Sequence, residues 1–453
     1  MRPVPRPPPA VDIAPLALFR IAFGALMAVE MARFLAHDWV RALFVAPAYH
    51  FPYPGLAWLR PWPGNGMQWH FGLLLASAVL VALGVYYRAA MAAFALGFTY
   101  VFLLDAAFYQ NHFYLICLLA WLMVFVPADR AWSVDAALGA APRSDAAPGW
   151  ALWLLRAQLA IVYTFAGLAK LNPDWLRGEP VRTFLATGPD VAPVGPLVRH
   201  PLAPWVLSYG GLVLDLVVVP ALLWPRARIP ALAAAIAFHL ANAALFPIGI
   251  FPWLMIAALP LLLPPAWSRA ALGALAVRPA RSARAGARDD SGAPEAADVP
   301  PRPSRRRSAA IAAYLAVQVA LPLRHLAYPG NPSWTGEGDR FAWRMMLDLK
   351  TGTTTYTVVD PGTGGTVDVD PRATLADWQH RKLAIRPDLI LAFAHHLRDA
   401  RRQAGRADVA VHAHAAMALN GRPPAPLVDP AVDLARVAWS PRPAAWILPP
   451  PRE

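Results

Sequence analysis

The chain has 453 residues, of which 57% are apolar and only 15% charged, against roughly 25% charged in soluble domains. A chain so poor in charge needs lipid to cover its surface, which excludes an ordinary soluble enzyme. Its formal charge of +13 comes from arginines set in loops between apolar runs; they form no continuous basic face, so no nucleic-acid partner is expected.

The single cysteine, Cys117, lies inside an apolar run, so the sequence offers neither an internal disulfide nor a CxxC zinc cluster. The first apolar segment, Pro15 to Ala36, is too long and too charged for a cleavable signal peptide and reads as a retained helix. Further runs follow at 67–87, 89–106, 112–127, 150–171, 204–224, 229–247, 249–265 and 308–325. Counted with the first, they predict about nine transmembrane helices, several of them short enough to be tilted, broken or re-entrant. The expected fold is thus an all-α polytopic membrane domain joined to a small α+β extracytoplasmic C-terminal domain. Residues 1–265 carry helices one to eight, 266–307 a disordered basic cytoplasmic linker, 308–325 helix nine, and 326–453 the α+β domain. In that last segment Thr353 to Val359 and Thr366 to Val369 flank a Pro-Gly-Thr-Gly-Gly turn, a hairpin signal. Leu389, Ile390, Phe393 and Leu397 then share a helix face, and Val409, Val411 and Ala413 alternate as a strand.

Orientation follows from the bias of lysine and arginine toward cytoplasmic loops. The 266–307 segment holds nine arginines against Asp289, Asp290, Glu295 and Asp298, which places it in the cytoplasm. Under nine helices the N-terminus is then cytoplasmic and residues 326–453 lie outside a bacterial-type inner (plasma) membrane.

Ionisable groups within membrane helices are costly, at least about 2.5–3.5 kcal/mol near the centre, and mark functional candidates. Glu30 and Arg33, three residues apart, read as a structural ion pair. Arg156, Tyr163 and Lys170, spaced by seven, share one stripe of the fifth helix. Lys170 ends that helix just before Asn172-Pro173-Asp174-Trp175, on the outer side. An amine kept neutral by apolar surroundings can act as a general base near neutral pH, whereas snorkelling to the interface is the plainer reading of a lysine at a helix end. Asn111 and His112 begin the fourth helix and His239 and Asn242 lie on the seventh, so three helices bring polar groups toward one leaflet, as an active site requires. His395, His396, His412 and His414 are read as exposed polar faces, and no metal is expected.

Several stretches, in order, resemble the vitamin K-dependent γ-glutamyl carboxylases and the bacterial proteins that share their horizontally transferred transmembrane (HTTM) domain. They include Leu18 to Gly24, Asn111-His112-Phe113-Tyr114-Leu115, Trp132-Ser133-Val134-Asp135, Phe165 to Trp175, and Phe238-His239-Leu240-Ala241-Asn242 with Phe246 to Pro252. Beyond the membrane half the likeness continues through Trp334-Thr335, Phe341 to Met346, Arg386-Pro387-Asp388, Asp429-Pro430 and Ala438-Trp439-Ser440-Pro441, and it reads as a C-terminally shortened relative. The resemblance implies oxidation of reduced vitamin K (menaquinol or phylloquinol) to its epoxide with O2, coupled to removal of a γ-proton from glutamate and its capture by CO2. Lys170 falls on the family's catalytic lysine, with His112 beside it as a second catalytic group. Asn111 and His112 fall on the pair that contacts the quinone, and His239 and Asn242 are further cofactor contacts. Trp343 with Arg381 and Lys382 falls on the substrate side. The implied partners are the lipid bilayer, an isoprenoid quinone and a glutamate-containing peptide. Asp339 and Asp348 stand where the family carries a tyrosine and a histidine, and two acids there are expected to repel a carboxylate. A quinone- or lipid-binding protein that has lost carboxylation is therefore the second reading. A transporter ranks last, because the sequence has no paired repeat.

Overall fold

The computed structural model describes residues 9–187, 195, 199–275, 303–360, 362–406 and 408–451. The membrane half contains α1 (Ala14–Ala36), α2 (Gly66–Leu83), α3 (Tyr87–Leu103), α4 (Asn111–Phe125), α5 (Gly149–Ala169), α6 (Ala203–Leu223), α7 (Arg228–Leu245), α8 (Phe251–Ala258), α9 (Pro265–Ala274) and α10 (Arg305–Leu323). Among the described residues, six of these, α1, α2, α5, α6, α7 and α10, are long and apolar enough to cross a membrane, or seven if the bent α8 to α9 segment is one broken span. The expected count of about nine is not confirmed. The runs at 89–106 and 112–127 fold as α3 and α4, which at 17 and 15 residues are only about 22–25 Å long against a hydrocarbon core of about 30 Å. The run at 249–265 breaks at Pro260 and Pro264 into α8, a 3₁₀ turn and α9, bent by 119°. The linker boundaries shift as well. Pro265–Ala274 is helical and the last long helix already starts at Arg305, while 276–302 lie outside the described residues.

Small residues and arginine caps hold the bundle together. A Cβ on Gly24 would come within 2.5 Å of the Ala82 backbone nitrogen, so α1 and α2 meet backbone to backbone, the close approach that small residues permit in membranes. Arg20, fully buried, gives Nη1 to the carbonyls of Val81 (2.7 Å) and Ala82 (2.6 Å), Nε to that of Ala128 (3.1 Å) and Nη2 to that of Trp132. It thereby supplies donors to the Ala82, Ala128 and Trp132 carbonyls at the end of α2 and in the loop after α4, and a second donor to Val81, which also receives the Gly84 N–H. Gly84 follows at φ +67°, and a side chain there would strike both Arg20 and Ser133. Arg156 does the same for the broken α8 to α9 segment, Nε to the Leu261 carbonyl at 2.6 Å. Arg228 donates to the Leu222 and Leu223 carbonyls at the end of α6. The Glu30–Arg33 pair forms at 2.8 Å.

The C-terminal part is an antiparallel sheet of order β4-β3-β5-β6, built from β3 (Lys350–Val359), β4 (Thr366–Val369), β5 (Ala410–Leu419) and β6 (Ala425–Pro426). Helices α11 (Asp377–Leu383) and α12 (Pro387–Gln403) pack against it. Period-2 alternation points Tyr356, Val358, Val411, Ala413 and Met417 inward against Leu389, Ile390 and Phe393 of α12. A second small antiparallel sheet pairs β1 (Ala10–Asp12) with β2 (Ala146–Pro148).

The two halves share buried surface. Phe51, Tyr53, Ala106 and Ala107 from the membrane half belong to the core of the C-terminal unit, and Gln379 bridges the Tyr49 carbonyl (2.7 Å) and Asp105 Oδ2 (2.8 Å). Asp174, just past Lys170, accepts from Asn420 Nδ2 (2.7 Å) and from Arg422 Nη1 (2.9 Å) and Nη2 (2.5 Å). Between these contacts the segment 339–348 dips into the membrane bundle. Phe341, Trp343 and Met346 take left-handed conformations there, at φ +61°, +57° and +56°, strain that bulky residues accept only where packing dictates it.

Candidate active site

Lys170 is placed by a local signal. Helix α5 stops at Ala169, and Asn172 Oδ1 accepts from the Trp175 backbone N–H at 3.0 Å, starting the short helix Pro173–Leu176. That turn carries Trp175 back against the bundle, where its indole N–H donates to the Ser208 carbonyl of α6 at 2.8 Å. Lys170 Nζ lies 5.1 Å from the Trp175 ring centre, donates to Asp215 Oδ2 on α6 at 2.6 Å and to the Ala166 carbonyl at 3.3 Å. Both Lys170 and Asp215 are only 6% exposed, so this lysine does not snorkel.

One stripe of α5 further in, Tyr163 OH and His239 Nε2 are 2.7 Å apart. His239 is fully buried, and its Nδ1 has no hydrogen-bond partner among the described residues. The Phe251 ring lies 6.3 Å from the His239 ring and 6.2 Å from that of His112, so the two histidines share one aromatic wall. Asn242 follows His239 by three residues on α7, half-buried, with no side-chain hydrogen bond among the described residues. Asn111 is committed elsewhere: its Oδ1 accepts from Tyr109 OH (2.9 Å) and its Nδ2 donates to the Arg344 carbonyl (3.2 Å), tying the start of α4 to the 339–348 segment. His112 and His239 meet across the Phe251 ring, and Tyr163 ties His239 to the helix that Lys170 ends, yet no hydrogen bond or ring contact among the described residues joins Lys170 to either histidine.

On the C-terminal side, Trp343 is buried at 1% exposure and stacks on Tyr114 with ring centres 5.0 Å apart. Arg381 and Lys382 are exposed on α11. The two acids expected to repel a carboxylate are already engaged, which corrects that expectation: Asp339 pairs with Arg386 (3.1 Å) and Arg344 (3.5 Å), and Asp348 with Lys350 (3.3 Å). Asp388 accepts from both Arg340 (2.8 Å) and Arg386 (3.2 Å). Burial would push the Asp388 carboxyl up, but the two guanidinium groups outweigh it and hold it well below the usual carboxylate range. Cations outnumber carboxylates in this cluster.

Comparison with known families matches residues 9–267 to the HTTM domain and residues 304–453 to the vitamin K-dependent gamma-carboxylase lumenal domain. The chain belongs to the vitamin K-dependent γ-carboxylase family. No solved structure matches it. Within this carboxylase framework the chain is a multi-pass membrane protein, and the family uses vitamin K hydroquinone. The orphaned Nδ1 of His239 beside the Phe251 ring fits such a ligand: a flat aromatic headgroup with oxygens at its edge needs a ring wall and a buried polar partner.

Sequence reasoning missed Asp215. It is the sole acid in the 21-residue apolar helix α6, and the cost of burying a carboxylate in a membrane was signal enough to single it out. Tyr109, which also receives the Phe341 backbone N–H at 2.6 Å, and the arginine pairs of Asp339 and Asp388 carried no local signal. Of the four C-terminal histidines, His395 and His412 bond the Val437 and Pro430 carbonyls, His414 meets Thr357, and His396 lies tilted against the Tyr49 ring. A groove of about 1420 Å³ opens between loop 44–64 and the C-terminal unit; Arg340, Arg386 and Asp388 of the cation-rich cluster line it, and none of Lys170, Asp215, Asn111, His112 or His239 does.

Proposed function

We propose that the protein is a membrane-embedded, vitamin K-dependent γ-carboxylase-like enzyme that oxidises reduced vitamin K to its epoxide and couples this to carboxylation of a glutamate-type substrate. The observation that carries the reading is Lys170, a buried lysine at the end of an apolar helix, held among Asp215, Trp175 and the Ala166 carbonyl. Reduced vitamin K, when bound, supplies the reducing equivalents and reacts with O2 to drive γ-proton removal. The protein's own part is narrower. Lys170 in its amine form takes up a hydroxyl proton, as a general base within hydrogen-bond reach does. His239, fixed by Tyr163, offers Nδ1 to an oxygen of the headgroup, and His112, Phe251 and Asn242 complete its surroundings, with Asn111 anchoring the loop above. The tight packing keeps water from the reacting atoms. Trp343, Arg381, Lys382 and the cation-rich cluster around Asp339 and Asp348 would receive the carboxylate substrate, from which CO2 capture makes the product.

With the α8 to α9 segment as a seventh span, the N-terminus is cytoplasmic and the C-terminal unit extracytoplasmic in a bacterial-type inner (plasma) membrane, an orientation that the arginine-rich 266–307 segment supports. Under this reading 1–265 is the catalytic membrane domain, 308–325 the last span and 326–453 the substrate-side domain. The quinone tail enters from the bilayer, and no metal takes part. Purified protein in bilayers, given phylloquinol or menaquinol, O2, a glutamate peptide and labelled bicarbonate, should form epoxide and fix label. Epoxide without label would favour the second reading in part, a quinone-using relative without carboxylation. Neither product would leave a quinone- or lipid-binding protein.

A further inference from the structure

Lys170 is held by a partner that the reaction scheme above does not use. Asp215 comes from a different helix, reaches Nζ at 2.6 Å and is 6% exposed; among the described residues it has no other hydrogen-bond partner. A lone buried charge of either sign in an apolar bundle is strongly unfavourable, so each group depends on the other. The three directions in which the ammonium is met, the Asp215 carboxylate, the Ala166 carbonyl and the Trp175 ring face, leave Nζ one orientation.

We propose that Asp215 is a positioning residue for Lys170, fixing where Nζ points and stabilising the ammonium that forms when the amine takes up a proton. The inference rests on the reading of Lys170 as the base. In the step it serves, an O–H bond of the ligand breaks, its electron pair stays on the oxygen, and the proton forms a new N–H bond on Nζ. The cation so created sits beside a carboxylate already in place, which makes proton uptake more favourable than it is beside a neutral group. Asp215→Asn retains a hydrogen-bond acceptor and removes the charge. Its amine therefore becomes available at lower pH but is a weaker base.

The sequence makes this measurable, because the chain has only three lysines, Lys170, Lys350 and Lys382. Protein in lipid nanodiscs is pulsed with acetic anhydride across a pH series and acetylation at each lysine is read by mass spectrometry. Lys170 should acetylate at distinctly lower pH in Asp215→Asn than in wild type or Asp215→Glu, with Lys350 and Lys382 unchanged as a check on folding. Asp215→Ser provides the same contrast if the amide variant does not fold. Epoxide formation should fall about tenfold or more in Asp215→Asn, with the rise of rate against pH beginning at lower pH, and should recover in Asp215→Glu. Identical pH dependence of Lys170 acetylation in wild type and Asp215→Asn would overturn the proposal. The two readings fail separately: shifted acetylation with no epoxide from wild type keeps Asp215's role and removes the enzyme reading, and unshifted acetylation with Lys170-dependent epoxide does the reverse.

Discussion

Arginines inside this bundle answer a problem that individual residues pose, since helices that stop within lipid leave carbonyls that water cannot reach. Arg20 meets four of them with one planar fork, a geometry that lysine cannot reproduce. Arg20→Lys should therefore leave at least one buried carbonyl without a donor and lower stability by about 2–4 kcal/mol. Thermal unfolding in detergent checks this, and an unchanged midpoint would show that the carbonyls are satisfied otherwise. Single residues were also where the sequence was read most unevenly. Lys170 stood out because it interrupts an apolar run, and Asp215 interrupts one equally plainly, but its meaning lies in a lysine 45 residues earlier. The Arg386 partner of Asp339 was invisible for the same reason: it lies 47 residues away, and spacing within a sequence reports near neighbours such as Lys350 beside Asp348, not contacts across a fold.

At the scale of elements, contact distance decides. With backbone on backbone at Gly24, the single methyl of Gly24→Ala must push α1 from α2 and should cost about 1–3 kcal/mol; a variant as stable as wild type would contradict the close approach. The clamp between the Pro173–Leu176 turn and the end of β5 depends on charge. Hydrogen bonding to Arg422 holds the Asp174 carboxyl below its usual value, so its contribution is complete above about pH 4, the ordinary aspartate value, and is lost as pH falls through the depressed one. Arg422→Ala should weaken docking of the C-terminal unit at neutral pH, read as faster amide exchange in residues 173–176 and 419–422, and should remove the acid-dependent part of that loosening. Equal exchange in both proteins would mean that apolar contact alone holds the junction. Hydropathy located every long helix but scored α3, α4 and the bent α8 to α9 segment as full spans alike, because it reads composition and is blind to length lost at Asp105, Val126, Pro260 and Pro264. The sheet was legible where period-2 alternation met a Gly-Gly turn, as in β3 and β4.

For the molecule as a whole, the C-terminal unit and the bundle interlock through the strained 339–348 segment, whose Trp343 packs into the membrane core while Arg344 holds Asn111. Which side of the membrane the C-terminal unit faces is testable through Thr366, exposed on β4. Cys117 is buried, so Thr366→Cys should react with an impermeant maleimide added outside intact spheroplasts, and protection until the cells are opened would reverse the proposed orientation. The family match covers both halves of the chain, which makes the chemistry at Lys170 the central claim. It is tested most directly by oxygen-dependent epoxide formation from phylloquinol, comparing wild type with Lys170→Ala at equal amounts of folded protein in bilayers. Epoxide from wild type and none above background from Lys170→Ala is the result expected; undiminished epoxide from Lys170→Ala would contradict the account.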